Sequence, residues 1–148
     1  MNNTDKQILL SAAIKALDYL TDIRERTANP SRASIEGLQA FNEELSESGQ
    51  DALETIDFLN RYGSPATMAN AGGRYFGFVI GGSHVPALAA NWLSTAWDQN
   101  AGLFVTSPVS AAIESVCERW LTKILPVARG ASVGFVTGVT MANFAALA

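Results

Sequence analysis

Charge is scarce in this chain: 16% of its 148 residues are charged, against about 25% in an average soluble domain. The balance is a net −4 with no block of basic residues, which excludes an ordinary nucleic-acid surface. Cysteine is scarcer still. Cys117 stands alone, so no internal disulfide can form, and a reducing cytoplasm is the simple reading. Its neighbours Ile113, Val116, Trp120 and Leu121 follow a helical pattern, which predicts a buried, inert thiol. No basic start leads into an apolar core and a cleavage site, so no secretory signal is visible. With one histidine, His84, and no acidic or thiol partner near it, a metal site is excluded.

Two stretches hold no charge at all, Tyr75 to Trp97 and Gly130 to Ala148. Each is about long enough to span a bilayer. Gly81-Gly82-Ser83-His84 and Pro86 interrupt the first, and the second carries Gly, Ser, Thr and Asn where a span would hold Leu and Ile. Deep burial inside a large protein is therefore expected for both, and no membrane partner.

Helical signals fill most of the chain. Thr4-Asp5-Lys6-Gln7 fits a capping box, and Leu9, Ala13, Ala16, Leu20 and Ile23 recur at helical spacing, predicting an amphipathic helix to about Arg26. Ala28-Asn29-Pro30-Ser31 breaks it, Ser34 to Leu45 is a further short helical piece, and Ser46 to Gln50 is polar loop. Asp51 caps the next helix, with Gly63 placed to end it and Pro65 to prevent its return. A helix from Pro86 to Trp97 follows, then the polar loop Asp98 to Gly102. Ser107-Pro108 is a strong helix start, and Val109, Ile113, Val116, Trp120 and Ile124 share one face before Pro126. Val133 to Val136 reads as a strand, and a helix opens after Thr137-Gly138-Val139-Thr140. No Gly, Pro or basic turn closes that last helix, so the chain reads as the front part of something larger.

Few residues stand out for chemistry. A strand, a glycine turn and a helix start at Val133 to Asn143 form a plausible anion site: first-turn N–H groups are unpaired, the dipole is positive there, and the Thr137 and Thr140 hydroxyls can donate. The spacing matches neither the Walker loop nor the three-glycine dinucleotide fingerprint. An ordinary strand-to-helix turn remains the alternative. His84 could stack on a ring, shuttle a proton, or simply brace a turn. Tyr75, Phe76, Phe78, Trp92, Trp97 and Phe104 read as core or interface aromatics rather than a ligand cage. Asp98 and Asn100 could bind a substrate or cap their own loop. No carboxylate pair or nucleophile triad appears.

In order along the chain, "RYGSPATMANAGGRYFGFVIGGSHVPALAANWLSTAWDQNAG", "SPVSAAIESVCERWL" and "GFVTGVTMANFAALA" resemble the group II pyridoxal-phosphate (PLP)-dependent decarboxylases, the class of aromatic-amino-acid and glutamate decarboxylases. The resemblance covers about Arg61 to Ala148, and the N-terminal third by its helical plan. It implies an α/β fold of the PLP-dependent transferase type (fold type I) in the full protein. This segment would be mostly α-helical and would carry the first strand of the large domain. The implied organisation is a helical dimerisation segment over 1–65, connecting helices and substrate-side loops over 66–130, and the start of the PLP-binding domain over 131–148.

The resemblance further implies a homodimer whose N-terminal helices wrap over the partner subunit, and a lyase acting on an amino acid. The turn matching Gly138, Val139 and Thr140 would hold the cofactor phosphate. Segments matching Phe78 to Ser83 and Asp98 to Gly102 would line the substrate end, making Phe78, Gly81, His84 and Asn100 the candidate substrate residues. Ile80-Gly81 replaces the Pro-Thr pair usual in aromatic-amino-acid decarboxylases, and Asn100 stands where an apolar residue is common. These departures weigh against an aromatic substrate and select no other. The Schiff-base lysine, the aspartate that pairs with the pyridine nitrogen and the histidine that stacks on the ring belong to later segments, so no catalytic residue is expected here and the 148 residues alone should be inactive. An aminotransferase or other PLP lyase of the same fold is the nearest alternative, and a non-catalytic helical dimerisation module is the alternative of another class.

Overall fold

The computed structural model describes every residue except Gly81, Ser83 and Ala148. It divides into two compact units, Met1–His84 and Val85–Ala148, a division that falls within the 66–130 stretch. The first unit opens with α1 (Asn3–Asp22). Its capping box is two residues earlier than Thr4-to-Gln7: the Asn2 N–H donates to Asp5 Oδ2 and the Asp5 N–H to Asn2 Oδ1, both at 2.8 Å. The earlier cap prevails because Asn2 is itself a strong cap residue and starting there adds helical hydrogen bonds. The helix also stops short of Arg26, since the N–H groups of Glu25 and Arg26 both turn back to the Asp22 carbonyl.

A short α2 (Arg32–Gly37) runs into a 3-10 turn over Leu38–Phe41. Then comes α3 (Ala52–Gly63), where Asp51 Oδ1 accepts from the Leu53 and Glu54 N–H groups at 2.9 and 3.0 Å. Gly63 is the last residue of α3, and Pro65 sits in the 3-10 turn that follows. α3 packs on α1. Phe41 meets Phe58 and Tyr62 edge to face, and Phe58 and Tyr62 are tilted to each other, with ring centroids 5.0 to 6.4 Å apart.

Lys15 Nζ meets Asp57 Oδ1 at 2.6 Å between the two helices. Asp57 is about half exposed, so solvent screens the pair, and Asp57→Asn is expected to lower stability by less than about 1 kcal/mol in urea denaturation.

At the far end of α1, the Arg26 guanidinium lies 4.5 Å over the Tyr19 ring and donates through Nη2 to the Ser64 carbonyl. The Ala69 N–H reaches the Ala28 carbonyl at 3.1 Å, and Ala69 is only 2% exposed. Beside it, a Cβ on Gly72 would sit 3.1 Å from the carbonyl oxygens of both Ala69 and Ile23. Both are backbone atoms with little room to yield. Gly72→Ala is therefore expected to destabilise this unit by about 1–2 kcal/mol, which thermal denaturation would detect.

The second unit holds α4 (Val85–Trp97), α5 (Pro108–Ile124) and α6 (Val139–Leu147). Ser107, 0% exposed, caps α5 by accepting from the Ser110 N–H at 3.3 Å. Val133 to Val136 forms no strand, and none occurs among the described residues. A single extended segment has no strand partner for its backbone N–H and C=O groups unless a neighbour is present, and no other described segment forms a strand beside it. The observed architecture is thus helical, without the expected first strand of a large domain.

Little is buried. Among the described residues only Ala69 and Ser107 are fully covered, and the chain exposes 12133 Å², whereas two separate compact units of these sizes would expose roughly 8,800 Å². Leu9, Leu10, Ile14 and Leu17 are each more than half exposed on α1, as are Ile113, Trp120 and Ile124 on α5. The described residues of the two charge-free stretches, expected to be buried, are mostly exposed. Cys117 is half-buried rather than buried. Phe76, Phe78, Trp97 and Phe104 are exposed rather than core. Among the described residues, no helix is long and apolar enough to cross a membrane.

Candidate cofactor and substrate site

Gly138, Val139 and Thr140 share one turn at the start of α6. The Ala142 N–H donates to the Gly138 carbonyl at 2.9 Å, which makes Gly138 the capping residue and leaves the Val139, Thr140 and Met141 amides in the orphaned first turn. Gly138 has no side chain to satisfy them, and no hydrogen bond to these three amides occurs among the described residues. Space above the turn is open, since a Cβ on Gly138 would meet nothing within 4 Å. No charge lies between Gly130 and Ala148, so the pull on an anion comes from the amides and the helix dipole, with the Thr140 hydroxyl beside them. Those features fit a phosphate, including that of pyridoxal phosphate. They supply no partner for its ring.

The approach to this turn is held from α5. Glu118 Oε1 accepts from the Val133 N–H at 3.3 Å, tethering the extended segment that leads to Gly138. Fifteen residues separate the two groups, so no local sequence pattern announces the pair.

Asn100 lies in a well-knit loop of the same unit. Its Oδ1 accepts from the Gly102 N–H at 3.0 Å, and its carbonyl accepts from Thr106 Oγ1 at 2.9 Å. A Cβ on Gly102 would stand 3.2 Å from that Oδ1, so glycine permits the close turn. The Asn100 acceptor is therefore engaged in capping its own loop, while the exposed residue's NH₂ group makes no hydrogen bond among the described residues. Thr106, which sequence reading passed over, also has the Leu103 carbonyl 2.9 Å from its Oγ1, so its single hydroxyl proton is shared between the two carbonyls. Its place just before the Ser107-Pro108 cap is the only signal that could have marked it. No hydrogen bond among the described residues joins Asn100 to the Gly138 turn.

Phe78 and His84 belong to the other compact unit. Phe78 is 88% exposed with φ +56°. His84 is exposed and makes no hydrogen bond among the described residues. Gly81 lies outside the described residues. No group of three or more His, Cys, Asp or Glu side chains that could hold a metal ion occurs among the described residues. Compared with known proteins, the chain matches no family model, no curated protein and no solved structure.

Proposed function

We propose that this chain is the N-terminal part of a PLP-dependent amino-acid decarboxylase, a carboxy-lyase that works as a cytoplasmic homodimer. The observation that carries the reading is the start of α6. There an uncapped helix N-terminus beside open space coincides with the turn that the sequence resemblance assigns to the cofactor phosphate. The exposed apolar faces of α1 and α5 support it further, because such faces need cover from a partner subunit or from further chain.

When bound, the cofactor supplies an electron sink for the electron pair left at Cα as CO2 departs. The roles of this chain are binding and orientation. The Val139, Thr140 and Met141 amides hold the phosphate, Gly138 keeps the approach open, and the Glu118 contact sets where the turn stands. The sequence resemblance alone assigns Phe78, Gly81, His84 and Asn100 to the substrate side, where the Asn100 NH₂ would donate to an acceptor on the substrate.

Full-length protein should bind PLP through a lysine outside these residues, absorb in the visible as lysine-bound cofactor does, and release CO2 from an amino acid. The 148-residue chain should release none. Keto-acid formation without CO2 by the full-length protein would shift the reading to an aminotransferase of the same fold. A full-length mass of 15.7 kDa with no visible absorbance after addition of PLP would overturn it in favour of a binding or assembly module.

A further inference from the structure

The segment Gly77–Ile80 closes a β-turn in which the Ile80 N–H donates to the Gly77 carbonyl at 3.3 Å. Its two central residues, Phe78 and Val79, have φ of +56° and +55°. Positive φ at both centres marks the mirror-image turn class that Asn-Gly and Asp-Gly adopt readily. Phe-Val is about the opposite of that preference. Both residues favour extended backbone, and a β-branched side chain in the left-handed region is a genuine outlier.

Such conformations persist where the surroundings hold them in place. Here the surroundings do not, because Phe76, Phe78 and Val79 are 91%, 88% and 106% exposed. The Tyr75 hydroxyl lies 3.1 Å from where a Gly77 Cβ would be, and the two strained residues stay exposed beside it.

We propose that Gly77–Ile80 is a bistable segment in which this turn exchanges with an extended form. The exchange matters because side chains alternate along extended backbone. In that form Phe76, Phe78 and Ile80 line one face and Gly77 and Val79 the other, so the switch decides whether the aromatic pair is presented together. The inference rests on backbone strain and exposure and is independent of the decarboxylase reading.

The test is solution NMR of the isotope-labelled 148-residue chain beside the doubly substituted F78N/V79G, which installs the residues this turn prefers. In the variant, a strong amide–amide contact between positions 78 and 79 should report the turn alone. In the parent chain, the Gly77 and Ile80 resonances should be displaced from those of the variant, with Val79 carbon shifts between left-handed and extended values or split into two sets. A parent chain with purely left-handed Val79 shifts, or with purely extended ones and no exchange, overturns the proposal. Because the positions are exposed, helical content by circular dichroism should not change, which separates the outcome from a folding defect.

Discussion

If the proposed phosphate anchor is right, Gly138→Asp, introduced into the full-length protein, should weaken PLP binding about a hundredfold, close to 3 kcal/mol at about 1.4 kcal/mol per decade. Two effects combine. The new carboxylate would accept from the Thr140 or Met141 amide itself, taking a donor the phosphate needs. It would also set a negative charge against the doubly negative phosphate, and like charges brought together in a site cost several kcal/mol. The same substitution should leave the melting temperature unchanged or raise it, because aspartate is a strong helix cap and favours the positive end of the α6 dipole. Loss of binding without loss of stability distinguishes an anchoring turn from a structural one. Gly138→Asn takes the amide without the charge and should give a smaller loss. Binding of pyridoxal, which lacks the phosphate, should be insensitive to both. Equal effects on pyridoxal and on PLP would remove Gly138 from the phosphate site.

Ser107→Val is expected to be the most damaging substitution in the second unit, lowering stability by about 2–4 kcal/mol. The hydroxyl accepts from the Ser110 N–H and donates to Ser110 Oγ at 2.8 Å, and losing such a cap costs about 0.5–2 kcal/mol. Valine also adds a methyl group where the residue is 0% exposed, and overpacking typically costs about 1–3 kcal/mol. Ser107→Ala isolates the first contribution and should cost about 1–2 kcal/mol. Urea denaturation followed by helical circular dichroism reads both. A unit in which Ser107 is the one buried residue among those described has little reserve, so the valine variant should lose α5 signal before the first unit melts. Equal midpoints for serine, alanine and valine would mean that the cap contributes nothing.

Local chemistry made much of the helical plan legible. Asp51 caps α3 and Ser107 with Pro108 starts α5 as read, because capping and proline geometry act over three or four residues and need no tertiary partner. The α6 start was equally legible from Gly138 and the run of helix formers after it. The misreadings have physical causes too. The first cap moved to Asn2 because two overlapping caps compete and the longer helix gains hydrogen bonds. The strand at Val133 to Val136 did not form, because β-structure is satisfied only by a neighbour. The aromatic cluster that does exist, Phe41 with Phe58 and Tyr62, joins a 3-10 turn to a helix across a polar loop, a pairing that no periodicity reveals.

For the candidate site, the sequence by itself determined the features on which the proposed phosphate anchor rests, a glycine followed by a helix start whose first-turn amides have no partner within the helix. It also determined the shortage of charge that leaves large apolar faces in search of cover. Only the tertiary structure decided that Asn100 Oδ1 is engaged by the Gly102 amide, that Glu118 reaches the Val133 N–H, and that Phe78 and Val79 sit in a strained, uncovered turn. Caps, turns and dipoles arise between residues a few positions apart, whereas burial, tethering and backbone strain depend on which distant groups the fold brings close, and that is written in no short stretch of chain.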